Sequence, residues 1–225
     1  MRALVIASLL IMLILVILNP ASAITVCIDS PVNEAQEHTF NVTIDISDLN
    51  DQKIAGFDLW IEYNGMLTTA EDVVPSENIA NWNVYYTTYS IGETTNIVRV
   101  VGVYTGETDT LITQDAMLFN ITFRALENGT AIFKVNNTLS KLINDSETYL
   151  SFTLNPNQVQ TVIWKYGDVN GDNTVDLKDV IRLVKMIVNP IIPRTVTADV
   201  NDDNNIDATD LVELINYVLT QGVQI

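Results

Sequence analysis

One cysteine in 225 residues, Cys27, leaves no intrachain disulfide to staple the fold, so stability must come from a packed core or from bound ions. One histidine, and no HExxH, GxSxG or glycine-rich phosphate loop, removes the usual parts of zinc, nucleophilic and phosphoryl chemistry. Paired carboxylates could still cleave glycosides, but they need a cleft that a domain of about 140 residues rarely provides, so the chain reads as non-enzymatic. Positive charge is scarce: 11 Lys and Arg against 28 Asp and Glu give a net charge of −17. Such a surface repels nucleic acid and acidic membranes and favours calcium.

Long apolar runs are confined to one place. Met1-Arg2, an almost unbroken apolar run from 3 to 18, then Pro20 and Ala21-Ser22-Ala23 read as a secretory signal, residues 1–23, cleaved after Ala23. The alternative is an uncleaved anchor, because the run approaches spanning length. Cleavage predicts a secreted or cell-surface protein starting at Ile24, with no transmembrane segment in the mature chain. Without Arg2 the balance is ten basic to 28 acidic residues. Cys27 sits in the alternating run ITVCIDS, which predicts a buried or half-buried strand position. Val26 precedes it where a lipid-attachment signal wants a small residue, so it is not a lipid anchor.

Residues 24–163 alternate with the period of β-strands: Phe40, Val42, Ile44, Ile46; Phe57, Leu59, Ile61, Tyr63; Met117, Phe119, Ile121, Phe123; Ala131, Phe133, Val135. Turn signals at residues 47–51, Asn64-Gly65, Gly92, Gly106 and Asn128-Gly129 separate the runs. Only residues 138–143 show helical spacing. This predicts a mainly β chain whose first domain is an antiparallel β-sandwich of eight or nine strands. Five N-x-S/T sequons fall here, at Asn41, Asn120, Asn128, Asn136 and Asn144. Parity puts Asn41, Asn120 and Asn136 on the solvent side and Asn128 in a turn, where glycans are tolerated. The same parity turns Trp60 outward, either as part of a binding face or under a second layer or the C-terminal module. Trp82, Tyr85, Tyr86 and Tyr89 form either a sugar-stacking platform or core and edge packing.

The most specific pattern lies further on. DVNGDNTVDLKD from Asp168 returns 31 residues later as DVNDDNNIDATD from Asp199. Oxygen-bearing side chains recur at places one, three, five, nine and twelve: Asp168, Asn170, Asp172, Asp176, Asp179, then Asp199, Asn201, Asp203, Asp207, Asp210. This is the ligand spacing of a calcium loop, with Thr174 and Asn205 at place seven lending backbone carbonyls. Place six is Asn173 and Asn204 where glycine is usual, and Asn is the side chain most tolerant of left-handed backbone. After each loop Val180, Ile181, Val184, Ile187, Val188 and Leu211, Val212, Ile215, Val218, Leu219 fall at helical spacing, and Pro190 and Gly222 end the helices. The prediction for residues 164–225 is a small α module of two half EF-hands that packs its helices antiparallel and folds around two Ca2+ ions. Only residues 164–167 join it to the sandwich, so the two should touch.

These paired loop-helix units with Asp at place twelve resemble a type I dockerin over about residues 167–219. The resemblance implies a plug for cohesin modules, with partner contacts at Leu177, Lys178, Val184 and Lys185 in copy one and Ala208, Thr209, Ile215 and Asn216 in copy two. AGFDLWIEYNGML from Ala55, NIVRVVGVYTGE from Asn96 and DAMLFNITFRALENGTAIFKV from Asp115 resemble strands of a cohesin, the jelly-roll partner of dockerins. That resemblance implies a flat dockerin-binding sheet face including Asp58, Trp60, Val101 and Val103. Together they imply a non-catalytic exported adaptor whose partners are cohesin- and dockerin-bearing proteins, with self-assembly open. A carbohydrate-binding sandwich presented by a dockerin is the alternative, and a surface-layer component, which would need an anchor, a third.

Overall fold

The computed structural model describes residues 23–106 and 111–221. Residues 1–22 of the signal segment and Gly222 lie outside these. Thirteen strands run β1 (Ile24–Asp29), β2 (Asn33–Ala35), β3 (Thr39–Ser47), β4 (Ile54–Asn64), β5 (Thr68–Pro75), β6 (Trp82–Ile91), β7 (Thr95–Tyr104), β8 (Ala116–Ala125), β9 (Gly129–Val135), β10 (Lys141–Asn144), β11 (Tyr149–Leu150), β12 (Phe152–Leu154) and β13 (Gln158–Trp164). Two helices follow, α1 (Leu177–Val188) and α2 (Ala208–Gln221).

The strands form two sheets. One has the order β12-β1-β3-β8-β5; the other runs β11-β10-β4-β9-β13-β2, with β7 on the second edge of β4 and β6 outside β7. Alternation explains the sandwich: Phe40, Val42, Ile44 and Ile46 of one sheet and Phe57, Leu59, Ile61 and Tyr63 of the other are all buried, and they share one core. Aromatic rings fill its centre. Phe123 packs edge-on against Tyr63 with centroids 4.9 Å apart and lies 4.7 Å from Phe133. Phe57 stacks on Trp82 at 5.8 Å.

Three details depart from the sequence reading. The extra strands are mostly two to four residues long, too short for periodicity to register, and residues 138–143, which have helical spacing, become a turn and the start of β10. Two pairings at the sheet margins are parallel, β1 with β12 and β13 with β2. Met117 is only half-buried, because a register shift opposite Ile44 and Asp45 lets Leu118 and Phe119 both enter the core.

The C-terminal module has its own core of Val169, Val180, Leu183, Met186, Ala198, Val200 and Leu214. Its helices are apolar on two sides. Val180 and Leu183 in α1 and Leu214 in α2 point inward, while Ile181, Val184 and Val188, and their counterparts Val212, Ile215 and Leu219, are exposed. The helical stripe read as one core pattern is therefore divided between core and surface.

Gly102 marks the tightest approach in the sandwich: a Cβ there would stand 2.3 Å from the Phe57 ring. Gly102→Ala should displace that ring from its stack on Trp82 and cost the sandwich about 1–3 kcal/mol, read as a lower melting temperature.

Candidate functional site

In the first repeat loop the place-one carboxylate is the hub. Asp168, 2% exposed, accepts from the amides of Gly171 at 2.8 Å, Asp172 at 3.1 Å and Asn173 at 2.8 Å. Asp199 does the same for Asp203 at 3.1 Å and Asn204 at 2.8 Å. These bonds curl each loop, and the turn requires positive φ at place six, 64° at Asn173 and 65° at Asn204. Asparagine accepts what most side chains would not.

The place-twelve carboxylates close the loops from the far end. Asp179 accepts from Asn170 at 2.9 Å and Asp176 at 2.8 Å, while Asp210 accepts from Val200 at 2.7 Å, Asn201 at 3.2 Å and Asp207 at 2.8 Å. Both are fully buried. Asp176 in turn caps α1 by accepting from the Lys178 amide at 2.7 Å, and Asp207 accepts from the Thr209 amide at 2.7 Å. With Asp179 as the reciprocal partner, Asp176 forms a capping box, so the calcium-loop motif and the helix start use the same residues.

Place five faces outward and is held less firmly. Asp172 accepts from the Thr174 amide at 3.0 Å, Asp203 from the Asn205 amide at 2.8 Å, and the Asn201 side-chain amide reaches Asp203 at 3.0 Å. In the first loop Lys178 Nζ lies 3.3 Å from Asp172 and 3.2 Å from Asp176. The Thr174 amide, with Lys178 adding, holds the Asp172 carboxyl below the usual range, and burial pushes Asp199 up. Among the described residues no three acidic or imidazole side chains converge as a ready-made cage. The donors nevertheless suit a hard cation: all are oxygens, four carboxylates per loop, on backbone already bent the required way. Asp168, Asn170, Asp172, Thr174, Asp176 and Asp179, and in the second loop Asp199, Asn201, Asp203, Asn205, Asp207 and Asp210, would hold it.

On the sandwich, strand register puts Asp58, Trp60, Val101 and Val103 on one face, the outside of the larger sheet. The structure adds two residues to that set. Arg99 grips Asp58 through two hydrogen bonds, 2.8 and 2.6 Å, and its guanidinium carbon lies 4.9 Å from the Trp60 ring centre. Tyr89 stacks on the same ring at 5.9 Å and 10°. Ile97, outward by register, is buried on this face, so the aromatics and Arg99 make a small second layer. Arg99 was legible as the outward residue between Val98 and Val100 in NIVRVV; its pairing with Asp58 was not.

The four aromatics offered as a sugar platform do not share a surface. Trp82 is buried against Phe57, and Tyr86 stands on the inner face, its hydroxyl 3.3 Å from Asp72, while Tyr85 and Tyr89 stand outside. Leu177 and Lys178 at the head of α1, and Ala208 and Thr209 at the head of α2, all lie at the surface, as do Lys185 and Asn216. Of the sequons, Asn41 and Asn128 are exposed, whereas Asn120, Asn136 and Asn144 are half-buried. Asn136 Nδ2, the atom a glycan would need, donates to Glu62 at 2.6 Å. Cys27 is half-buried on β1, its sulfur 3.9 Å from Ser47 Oγ.

The two parts of the chain touch. β13 runs beside β9 and β2 and delivers the chain to Gly167, whose φ is 74°. Beyond it, Asp202 of the second loop accepts from the Thr39 amide at 3.4 Å and lies 3.5 Å from His38 Nδ1. His38 is 4% exposed and 3.4 Å from Glu34.

The Cohesin domain model matches residues 24–155, more than half of the chain, and the Dockerin type I domain model matches residues 166–219. Among solved structures, the cohesin module of a family 33 glycoside hydrolase from Clostridium perfringens superposes with a TM-score of 0.52 at 12% identity, over 64% of this chain and 98% of that one. Two type I cohesin–dockerin complexes from Clostridium thermocellum each give 0.51 over 64% of this chain, at 16% identity with 95% of the neighbour covered and at 17% with 100%. None of the curated proteins compared matches the chain. Among the described residues no helix is long and apolar enough to cross a membrane.

Burial lowers the proton affinity of His38, but the hydrogen bond to Glu34 and the charges of Asp202, Glu34 and Asp199 outweigh it and raise its pKa. A raised folded-state pKa stabilises the contact fully below the ordinary value of 6.5 and loses that contribution as pH rises through the folded value. The contact between the two parts should therefore weaken from slightly acid to slightly alkaline pH, read as amide exchange at Thr39, and His38→Gln should flatten that profile.

Proposed function

Because the chain belongs to the cohesin family and carries a type I dockerin module behind its sandwich, we propose that it is a non-catalytic adaptor that joins extracellular proteins into larger assemblies. Cohesin and dockerin modules bind each other's kind, so the chain has both halves of an interaction. In this reading, residues 24–163 receive a dockerin and residues 164–225 plug into a cohesin on another protein once two Ca2+ ions are bound. The observation that carries it is a pair of outward surfaces. Asp58, Trp60, Val101 and Val103 lie on one flat sheet face, and the stripe of Ile181, Val184, Val212 and Ile215 is exposed on helices that also have a buried side.

Calcium has a physical role in this scheme. Four Asp side chains at ligand places in each loop, with Asp202 a fifth in the second, repel one another, and the loop amides offset only part of that charge. A cation drawn to Asp168, Asp172, Asp176 and Asp179 would neutralise the remainder and fix the start of α1. Export follows from residues 1–23, and Asn41 and Asn128 are the exposed sequons, open to a glycan. A glycan at Asn136 would have to break the bond to Glu62. Carbohydrate binding is the weaker reading, since Tyr89 and Arg99 already pack against the Trp60 ring.

Two measurements test this. In millimolar calcium the full chain should keep its helical circular dichroism and capture a cohesin; chelator, or Asp172→Ala with Asp203→Ala, should abolish both while the sandwich melts as before. Persistence of both signals in chelator would remove calcium from the account. Trp60→Ala should raise the dissociation constant for a dockerin roughly thirtyfold, about 2 kcal/mol, and shift sandwich melting little. Unaltered capture would place the receiving face elsewhere.

A further inference from the structure

Among the described residues, the outermost strands of the two sheets are blunted, with one exception. β11 and β12 are two and three residues long. β2 has three residues, with Pro31 just before it and Glu34 within it. β5 carries Glu71, Asp72 and Pro75 and a register shift between Ala70 and Asp72. These are the devices by which soluble proteins stop edges from templating further strands. β6 has none of them. Its ten residues, WNVYYTTYSI, hold no charged residue and no proline, and its ladder to β7 runs unshifted from Trp82↔Tyr104 to Ile91↔Thr95. Among the described residues no strand pairs with its other edge.

We propose that this edge is a dimer interface, at which a second copy of the chain adds its own β6 antiparallel about a twofold axis through Thr87. A twofold perpendicular to the sheet keeps each face continuous, so opposed residues must share a face and their numbers must sum to an even total. Centring on Thr87 sets Tyr85 opposite Tyr89 twice, on the outer face, and Tyr86 opposite Thr88 on the inner. Cross-strand aromatic pairs of this kind stabilise a ladder. Tyr85 is 67% exposed without them.

Charge permits the same partner at this edge. Two chains of net charge −17 repel over most of their surfaces, and β6 is the long strand at which they can meet with no carboxylate in either adjoining row. Arg99 lies opposite Thr87 on β7, Asp72 lies beside the Tyr86 hydroxyl, and Glu93 sits in the turn beyond Ile91. Pairing leaves the outer sheet face open and sets two copies of it side by side, which would present two dockerin seats per assembly and raise avidity.

Sedimentation equilibrium of the full chain in calcium should show concentration-dependent dimers. Tyr85→Lys with Thr87→Lys places like charges on and beside the axis and should move the midpoint of association to at least about tenfold higher concentration. A cysteine pair reads the register. Thr87→Cys should cross-link to its own copy under mild oxidation, because directly opposed Cα atoms lie about 4.5–5.5 Å apart, within disulfide reach. Asn83→Cys, whose own mate would sit eight residues along, roughly 27 Å away, should not. A chain that stays monomeric at all concentrations, a dimer indifferent to the two lysines, or equal cross-linking at both cysteine positions would each overturn the proposal.

Discussion

Four carboxylates, Asp168, Asp179 and Asp210 buried and Asp199 half-buried, are bonded to the amides of their own loops, and the C-terminal module depends on those bonds. An unpaired buried charge costs several kcal/mol, and each of these is offset by two or three N–H donors. The bonds bend the loops, cap the helices and bring Val169 and Val200 into a core too small to form alone. They also set the limit of that core. The outward oxygens of Asp172, Asp176, Asp203 and Asp207 face solvent, Lys178 or, at Asp203, the Asn201 side-chain amide, the arrangement a divalent cation would complete.

The two parts of the chain solve the problem of apolar surface differently. The sandwich hides its alternating residues between sheets and shows a charged and aromatic outer layer, Asp58 and Arg99 with Trp60 and Tyr89. The module has no second layer to hide behind, so its helices keep one apolar stripe inside and another in water. An exposed apolar stripe is repeated on both helices, Ile181, Val184 and Val188 on one and Val212, Ile215 and Leu219 on the other. The strand-woven connection through β13 and the contact between Asp202 and His38 hold the module against the sandwich end, away from a free-swinging tether.

Much of this is legible along the chain itself. Asp168 to Asp179 and the copy beginning at Asp199 could be read because calcium chemistry demands fixed spacing in a contiguous segment. Phe40 to Ile46 and Phe57 to Tyr63 could be read because strands alternate. Trp60 was placed outward by parity alone. Residues whose role depends on a distant partner could not be read this way: Met117 lost its core place to Leu118 through a bulge, Ile181 and Val184 went to the surface, and Trp82 left its tyrosines for Phe57.

Local chemistry is thus written along the chain: which residues can be ligands, which strand positions face together, where helices begin. Which surface is then covered belongs to tertiary structure alone. Burial is decided by what arrives from elsewhere in the chain, Tyr89 on Trp60, Arg99 on Asp58, Asp202 at His38, and no sequence period encodes the path that brings them together.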